Sequence, residues 1–331
     1  MTTLPVTAPR AVGRDAGVAA RPALRRRLVT GVVLALGLAG VVLAVPGLRP
    51  AVRDIAGMRP ALAAAAIGLE VASCLSFVAI FRLFFAPIPT AAARDLAWSE
   101  MGSGALLPGG GVGALAIGGW LLRLEGMSTS QIVKRSSGLF FLTSAVNVVT
   151  LAAGGVLLAL GLTGGPHDAL RAGVPIVGAV AAVAIALGVP RLSRHLTRRH
   201  PRAGWLEDVG SGVGDARSAL SRPSWRLAGA FGYLLFDIGV LWATFAATGA
   251  AVPLAPLVVA YIVGYLANAI PIPGGVGVLD AGLVGALTLY GLPVTHAAAA
   301  VLVYHAIAFW IPALGGITGY VRLQRRRPSA G

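Results

Sequence analysis

Acidic side chains occur inside apolar stretches of this sequence, where an ionisable group costs a few kcal/mol in a membrane. Because of that cost, such groups are expected to act in function or to pair with one another. They could bind a cationic headgroup, carry a proton, or pair with Arg82 and His305. For Glu70 and Asp237, structural pairing inside a helix bundle and a direct role both remain open. The acids concerned are Glu70, Glu100, Asp237 and Asp280.

Two segments rich in proline and glycine also interrupt apolar sequence. Residues 271–280 read Pro-Ile-Pro-Gly-Gly-Val-Gly-Val-Leu-Asp, and residues 108–113 read Pro-Gly-Gly-Gly-Val-Gly. Proline lacks an N–H group and glycine has much freedom to lose, so neither segment continues a helix. Irregular backbone at membrane depth is tolerated only where protein buries it or where it lines a cavity. Broken helices of this kind indicate a transport site.

The chemistry expected at these breaks is anion binding. A short helix that begins at a glycine-rich turn presents unpaired N–H groups and its positive dipole end. We predict that a phosphate headgroup binds there, from a phospholipid or a polyprenyl phosphate, although turns that act only as structural hinges fit the same pattern. The candidate substrate-binding residues are Pro108, Gly109, Gly110, Pro273, Gly274, Gly275, Gly277, Asp280 and His305.

Composition places the chain in a membrane. Of its 331 residues, 56% are hydrophobic and 12% are charged, whereas a soluble protein has about 25% charged residues. The mean hydropathy is +0.81. The net charge of +15 does not indicate nucleic-acid binding, because the arginines flank apolar segments as the positive-inside rule requires.

Enzymatic motifs are not found in the sequence. No spacing of His, Cys, Asp and Glu suggests a metal site, no Ser-His-Asp pattern appears, and the glycine run from Gly109 to Gly113 lacks the Gly-Lys-Ser/Thr ending of a phosphate-binding loop. We therefore expect neither an enzyme nor a bound cofactor. The single cysteine, Cys74, excludes an intramolecular disulfide and is expected to be a packing residue.

Apolar segments define a single transmembrane domain over residues 25–322. A disordered basic tail, 1–24, is expected before it, and a basic tail, 323–331, after it. A basic cytoplasmic loop is predicted at 191–225. Between the spans lie two broken pairs of short segments, 91–124 and 253–290. The predicted spans are 28–48, 61–85, 137–162, 172–189, 226–248 and 295–321.

The sequence also resembles itself when it is shifted along its own length. The shift that places residues 108–110 on residues 273–275 also places Gly126 on Gly291, and it places the second span on the fifth without a gap. We call this correspondence the repeat alignment. We interpret it as repeat 1, about 28–162, and repeat 2, about 172–321.

Helix length decides how the broken pairs lie in the membrane. Residues 278–290 would form a helix roughly 20 Å long, shorter than the hydrocarbon core of about 30 Å. Each pair is therefore expected to enter and leave on one side, which gives each repeat three crossings and inverts the second repeat. With the N-terminus in the cytoplasm, this topology puts 23 of the 27 Lys and Arg residues on the cytoplasmic side. The predicted fold is an all-α polytopic membrane protein with six full spans and two re-entrant helical hairpins in two inverted repeats.

Residues 271–280 resemble the signature of the flippase-like lysylphosphatidylglycerol synthase transmembrane family, which includes the membrane half of the multiple peptide resistance factor. Residues 301–316 and Gly291 are similar to its C-terminal pattern, and residues 106–110 to its first-half motif. The sequence departs from the family at two positions. Asp280 stands where the family usually has Glu, and His305 stands near a common Arg.

The resemblance implies a bacterial plasma-membrane protein with both termini in the cytoplasm. It implies translocation of a lipid rather than lipid synthesis, because no soluble aminoacyl-transferase domain follows residue 331. The expected partners are membrane lipids with anionic or phosphate headgroups, and the oligomeric state is left open. Two alternatives remain: a secondary transporter of a small solute, and a non-transporting accessory protein of cell-envelope synthesis.

Overall fold

The computed structural model of the chain describes residues 57–107, 111–166, 168–199, 204–221, 224–266 and 278–326. Its regular elements in these ranges are helices, including a short 3₁₀ turn at Trp225–Leu227 before α7. The α-helices are α1 Pro60–Phe84, α2 Thr90–Leu106, α3 Gly111–Leu124, α4 Thr129–Ala159, α5 Ala169–Arg199, α6 Trp205–Ser221, α7 Ala228–Ala247, α8 Leu254–Tyr265, α9 Val278–Leu289 and α10 Val294–Arg326.

Five of the described helical segments are long and apolar enough to cross a membrane, which makes this a multi-pass membrane protein. They agree with five of the six predicted spans. The sixth, 28–48, lies outside the described residues, as do the predicted tail 1–24 and residues 327–331. The five segments are Pro60–Phe84, Thr129–Ala159, Ala169–Val189, Trp225–Ala247 and Val294–Arg326.

Small residues bring the helices of the core into close contact. Helix α1 packs along α7, and α10 packs along α2. A Cβ atom added at Gly316 of α10 would lie 2.6 Å from the Cα of Gly102 in α2, and one at Gly229 of α7 would lie 2.5 Å from the carbonyl oxygen of Ser76 in α1. Backbone atoms therefore touch at both crossings, as small residues allow in membrane helices.

The short helices α3 and α9 end in the same way. Gly126 follows α3 with φ +86°, and Gly291 follows α9 with φ +93°, a left-handed conformation that favours glycine. In each turn, the N–H of the residue after the glycine donates to a carbonyl oxygen near the end of the helix. The acceptor is Leu122 in α3, at 3.2 Å, and Leu287 in α9, at 3.1 Å. Both ends are Schellman turns. They occupy equivalent positions in the repeat alignment, as do the starts of α4 and α10 at Thr129 and Val294.

The polar stretch 191–225 is largely helical rather than an irregular loop. Helix α5 continues to Arg199, and Trp205–Ser221 forms α6, which packs against α4 and α5. A Cβ atom at Gly212 would lie 2.1 Å from the carbonyl oxygen of Lys134. An ion pair of 3.1 Å between Lys134 and Asp215 supports the same contact.

Contacts between helix ends show which ends are neighbours. The Arg135 guanidinium, near the start of α4, donates to the carbonyl oxygen of Phe84 at the end of α1. At the other end of α4, Gly165 lies against Pro256 at the start of α8. The Tyr290 hydroxyl, just after α9, donates to the carbonyl oxygen of Arg171 near the start of α5, at 2.9 Å.

The α2–α10 crossing predicts a stability effect. Gly316→Ala places a methyl group against the backbone of Gly102, so we expect a loss of about 1–3 kcal/mol in the free energy of unfolding. The measurement is unfolding of the detergent-solubilised protein. Gly178→Ala in α5 is the matched control, because no heavy atom lies within 4 Å of the added methyl group. Equal stability of the two variants would contradict the crossing.

Candidate functional site

A carboxylate and two tyrosines join three helices near the middle of the bundle. The Tyr304 hydroxyl of α10 donates to Oδ2 of Asp237 in α7 at 3.2 Å, and the Tyr261 hydroxyl of α8 donates to the same oxygen. The two hydroxyl oxygens are 3.4 Å apart, and the two rings meet edge to face. One oxygen of Asp237 therefore holds α8 and α10 against α7.

A second carboxylate faces this group from α1. Glu70 is 4% exposed, and its Oε1 accepts from the Cys74 thiol at 3.6 Å. Its carboxylate is close enough to that of Asp237 for the two to interact electrostatically. Within the described residues, Oε2 of Glu70 and Oδ1 of Asp237 have no hydrogen-bond partner. We call Glu70, Cys74, Asp237, Tyr261 and Tyr304 the acid cluster.

The sequence left open whether Glu70 and Asp237 pair with Arg82. The structure places Arg82 elsewhere: its guanidinium donates to Oγ1 of Thr90 at 3.0 Å, near the end of α1. One oxygen of Asp237 accepts two tyrosine hydroxyls, and one oxygen of Glu70 accepts a thiol. Neutral donors therefore replace the expected basic partner.

Asp280 and His305 form a second polar contact beside the acid cluster. Nδ1 of His305 lies 2.9 Å from Oδ1 of Asp280, so the pairing that the sequence allowed is present. Asp280 lies in the first turn of α9, and the His305 ring stacks on Phe309. His305 directly follows Tyr304 in α10, so consecutive residues serve the two contacts.

Glu100 lies away from these contacts. Its side chain is half-buried against α3, where a Cβ atom at Gly118 would be 2.7 Å from Oε2 of Glu100. It therefore packs between the two helices of the first broken pair. The proline and glycine residues predicted to bind phosphate, at positions 108–110 and 273–277, lie outside the described residues.

The structure also contains a buried ion cluster that the sequence did not predict. The Asp95 side chain in α2 is 1% exposed, and it lies 2.9 Å from Arg326, 3.2 Å from Arg94 and 4.0 Å from Arg322. This cluster ties the start of α2 to the end of α10. The neighbouring Arg94 was the available signal, but nothing local indicated that the C-terminal arginines would reach it.

Tyr261 and Tyr304 were missed as well. The available signal was that both are polar-tipped residues in otherwise apolar helices, where a buried hydroxyl usually finds a partner. A partner 24 or 67 positions away along the chain is invisible to local patterns.

Cavities occur at the ends of the bundle. One of about 440 Å³ is lined by Gln131, Lys134, Arg135 and Asp215, together with Leu83, Phe84 and Ala219. Its lining carries both signs of charge. It lies at the α4–α6 contact, away from the acid cluster.

Residues 28–316 match the family of the lysylphosphatidylglycerol synthase transmembrane region. The chain belongs to this family. The resemblance carried by residues 271–280 is thereby confirmed, and membership indicates a membrane protein of lipid or cell-envelope processes. Neither a curated protein nor a solved structure matches the chain.

Every member of the acid cluster, and the Asp280–His305 pair, lies within the part that matches the lysylphosphatidylglycerol synthase region. The ion cluster at Asp95 reaches beyond it, because Arg322 and Arg326 follow residue 316. The acid cluster therefore lies within the matched region, whereas the ion cluster joins α2, inside that region, to the last turns of α10, beyond it.

The shared oxygen of Asp237 predicts coupled tyrosines. Tyr261→Phe and Tyr304→Phe each remove one donor from a buried carboxylate, so we expect each to lower the free energy of unfolding by about 1–3 kcal/mol. Because both donate to one oxygen, the double variant should not show the sum of the two effects. The measurement is unfolding in detergent.

Tyr320→Phe is the matched control, since the Tyr320 hydroxyl contacts only the exposed Gln324 amide in the described contacts. If Tyr261→Phe and Tyr304→Phe were as stable as this control, the two hydrogen bonds to Asp237 would carry no energy.

Proposed function

We propose that this protein is an integral membrane lipid translocase, which moves a phosphate-bearing lipid or lipid-linked precursor between the two leaflets. The observation that carries the proposal is the Asp280–His305 contact, which joins the second of two short helix pairs to α10. Three features support it: the ends at which the two short helix pairs enter the bundle, the relation of the pairs by repeat, and the chemistry at the start of α9.

The first pair, α2 and α3, enters and leaves at one end of the bundle. The start of α2 follows the end of α1, and the end of α3 precedes the start of α4 by a short turn. Those two neighbouring ends lie side by side, because Arg135 of α4 contacts the Phe84 carbonyl of α1. The two helices of the pair also pack on each other. This supports a re-entrant hairpin.

The second pair, α8 and α9, enters and leaves at the opposite end. Pro256 at the start of α8 lies against Gly165, beyond the far end of α4. Tyr290, at the end of α9, reaches the start of α5. Each of these two helices has 12 residues, which is about 18 Å and too short for a hydrocarbon core of about 30 Å. A second re-entrant hairpin of opposite orientation fits these contacts.

Reciprocal helix contacts support an inverted repeat. In the repeat alignment, α1 corresponds to α7, α2 to α8, α3 to α9 and α4 to α10. Helix α2 of the first repeat packs on α10 of the second, and the corresponding helix α8 packs on α4. Helices α1 and α7, which correspond to each other, pack together. This is the contact pattern of a two-fold axis lying in the membrane plane, as in many transporters.

The charge distribution gives the orientation. Arg82, Arg94, Lys134 and Arg326 lie at the end where the first pair enters. By the positive-inside rule this end faces the cytoplasm. We infer that the second pair enters from outside and that the end of α10 faces the cytoplasm of a bacterial plasma membrane.

The Asp280–His305 pair supplies headgroup chemistry at the inner end of the second hairpin. Asp280 lies in the first turn of α9, whose N-terminal N–H groups favour an anion. A protonated His305 would add a positive charge for a phosphate, and Asp280 would accept from an ammonium or hydroxyl group of the headgroup. A lipid with a phosphate and a polar headgroup fits this pair of opposite charges.

Leaflet exchange tests the assignment. Asp280→Asn and His305→Gln should each slow exchange of a fluorescent anionic phospholipid in reconstituted vesicles by about tenfold, equivalent to about 1.4 kcal/mol. Gly275→Leu should abolish exchange, because the leucine side chain would keep the headgroup from the backbone. Asp208→Asn, at the exposed Ser130 contact, is the control. Exchange at the wild-type rate in all three folded variants would overturn the site assignment.

Cysteine labelling tests the topology. In a Cys74→Ser background, we expect an impermeant thiol reagent to label Val294→Cys only from outside and Thr129→Cys only from the cytoplasm. These are equivalent positions at the starts of α10 and α4. Labelling of both from the same side would exclude the inverted arrangement.

A further inference from the structure

We propose that Glu70 and Asp237 form a proton-binding site, in which one of the two carboxyl groups carries an exchangeable proton. We further propose that lipid movement is linked to uptake and release of this proton, a step that rests on the translocase function proposed above. Neutral or acidic groups surround the two acids, and the basic groups of the neighbouring helices bind elsewhere.

Every titratable group that faces the two carboxylates in the described part of the chain is an acid, a thiol or a phenol. Helix α1 contributes Cys74, α7 contributes Tyr233, α8 contributes Tyr261 and Tyr265, and α10 contributes Tyr304. None of these side chains is cationic at neutral pH, so none can neutralise two negative charges.

The charged groups of the neighbouring helices are engaged elsewhere. Asp95 of α2 binds the arginines at the end of α10, and Glu100 faces Gly118 of α3. On α4, Lys134 pairs with Asp215, and Arg135 reaches the Phe84 carbonyl. His305 of α10 contacts Asp280 of α9. The acid cluster is thus electrostatically separate from the basic groups packed around it.

Two carboxylates that share a dry site do not both stay ionised, because like charges and the loss of water each favour the neutral form of one. The hydrogen bonds show where the proton fits. Oδ2 of Asp237 receives two hydroxyls and Oε1 of Glu70 receives the thiol. Oε2 of Glu70 and Oδ1 of Asp237 have no partner in the described structure, and Glu70 is 4% exposed.

A proton suits this site better than a metal ion. A cation of the size of Na⁺ or Ca²⁺ requires several oxygen ligands at once, and the described residues contain no group of three or more His, Cys, Asp and Glu side chains that could hold a metal ion. A proton needs one acceptor oxygen and one neighbouring lone pair. Oε2 of Glu70 and Oδ1 of Asp237, which have no partner in the described structure, are the oxygens available to carry it.

The proton would act on the second hairpin through the tyrosines. A hydrogen bond to an ionised carboxylate is roughly twice as strong as one to its neutral form. Protonation of Asp237 therefore weakens the hold of α7 on Tyr261 in α8 and on Tyr304 in α10. Tyr304 directly precedes His305, which contacts Asp280 of α9. The residue that contacts Asp237 and the residue that contacts Asp280 therefore lie on the same turn of α10. Both helices of the second pair would respond, and linkage requires that headgroup binding in turn change proton affinity.

Infrared spectroscopy of the purified full-length protein in detergent tests the site without any lipid assay. At neutral pH, we expect the wild-type protein to show the carbonyl band of a buried protonated carboxyl group. Glu70→Gln and Asp237→Asn should lose this band, whereas Asp208→Asn should retain it. Absence of the band in the wild type at neutral pH, or its persistence in both folded variants, would overturn the proton site.

Tyr261→Phe covers the case in which the two acid variants fail to fold. It keeps both carboxyl groups and removes one donor to Asp237, so the band should persist and shift in frequency. An unshifted band would place the protonated group elsewhere and overturn the assignment.

Leaflet exchange with and without a proton gradient tests the link. We expect the gradient to change the exchange rate of the wild type and to lose this effect in Glu70→Gln. If the infrared band is present and the gradient has no effect, the site stands and the link is wrong. If no lipid exchange occurs under any condition, the translocase function and its link to protons are overturned, while the infrared result still decides the proton site.

Discussion

The hydrogen bonds from Tyr261 and Tyr304 to one oxygen of Asp237 determine how the middle of this bundle is assembled. A carboxylate buried in a membrane protein must be satisfied by donors, because lipid offers none. The donors come from α8 and α10. A single oxygen therefore holds α8 and α10 against α7, and Glu70 approaches the same place from α1.

Close backbone contacts make this polar centre possible. Apolar helices gain little from burying hydrophobic surface against each other in lipid, so packing and polar contacts decide which helices associate. The Gly102–Gly316 crossing and the Gly229–Ser76 crossing bring the backbones of two helix pairs into contact. The Asp95–Arg326 ion pair then fastens one end of the α2–α10 crossing. Glycine therefore sets how closely the helices approach, and the buried ion pair holds their relative register.

Local signals allowed much of the fold to be predicted from the sequence. Hydropathy located five described spans, and glycine turns located the ends of α3 and α9, since both depend on residues close in the chain. The polar stretch 191–225 was expected to be a loop but contains α6, because Gly212 allows that helix to pack on α4. Asp237 was recognised as an embedded acid, yet its tyrosine partners were not, because long-range pairing leaves no periodic pattern. The Asp280–His305 contact joins two of the few ionisable residues that the sequence places in apolar segments.

The two halves of the repeat alignment contain corresponding helices but differ in their polar residues. In the repeat alignment, Ala72 stands opposite Asp237, Leu96 opposite Tyr261, and Leu139 opposite Tyr304. The remaining polar positions follow the same rule, with Leu115 for Asp280, Phe140 for His305, and Leu235 for Glu70. Each polar group of the second half therefore has an apolar counterpart in the first half, and Glu70 has one in the second. The corresponding helices can form without these polar groups. Four of these polar groups lie on α8, α9 and α10, so the polar centre is built mainly from the second half of the described chain, and the first half contributes Glu70.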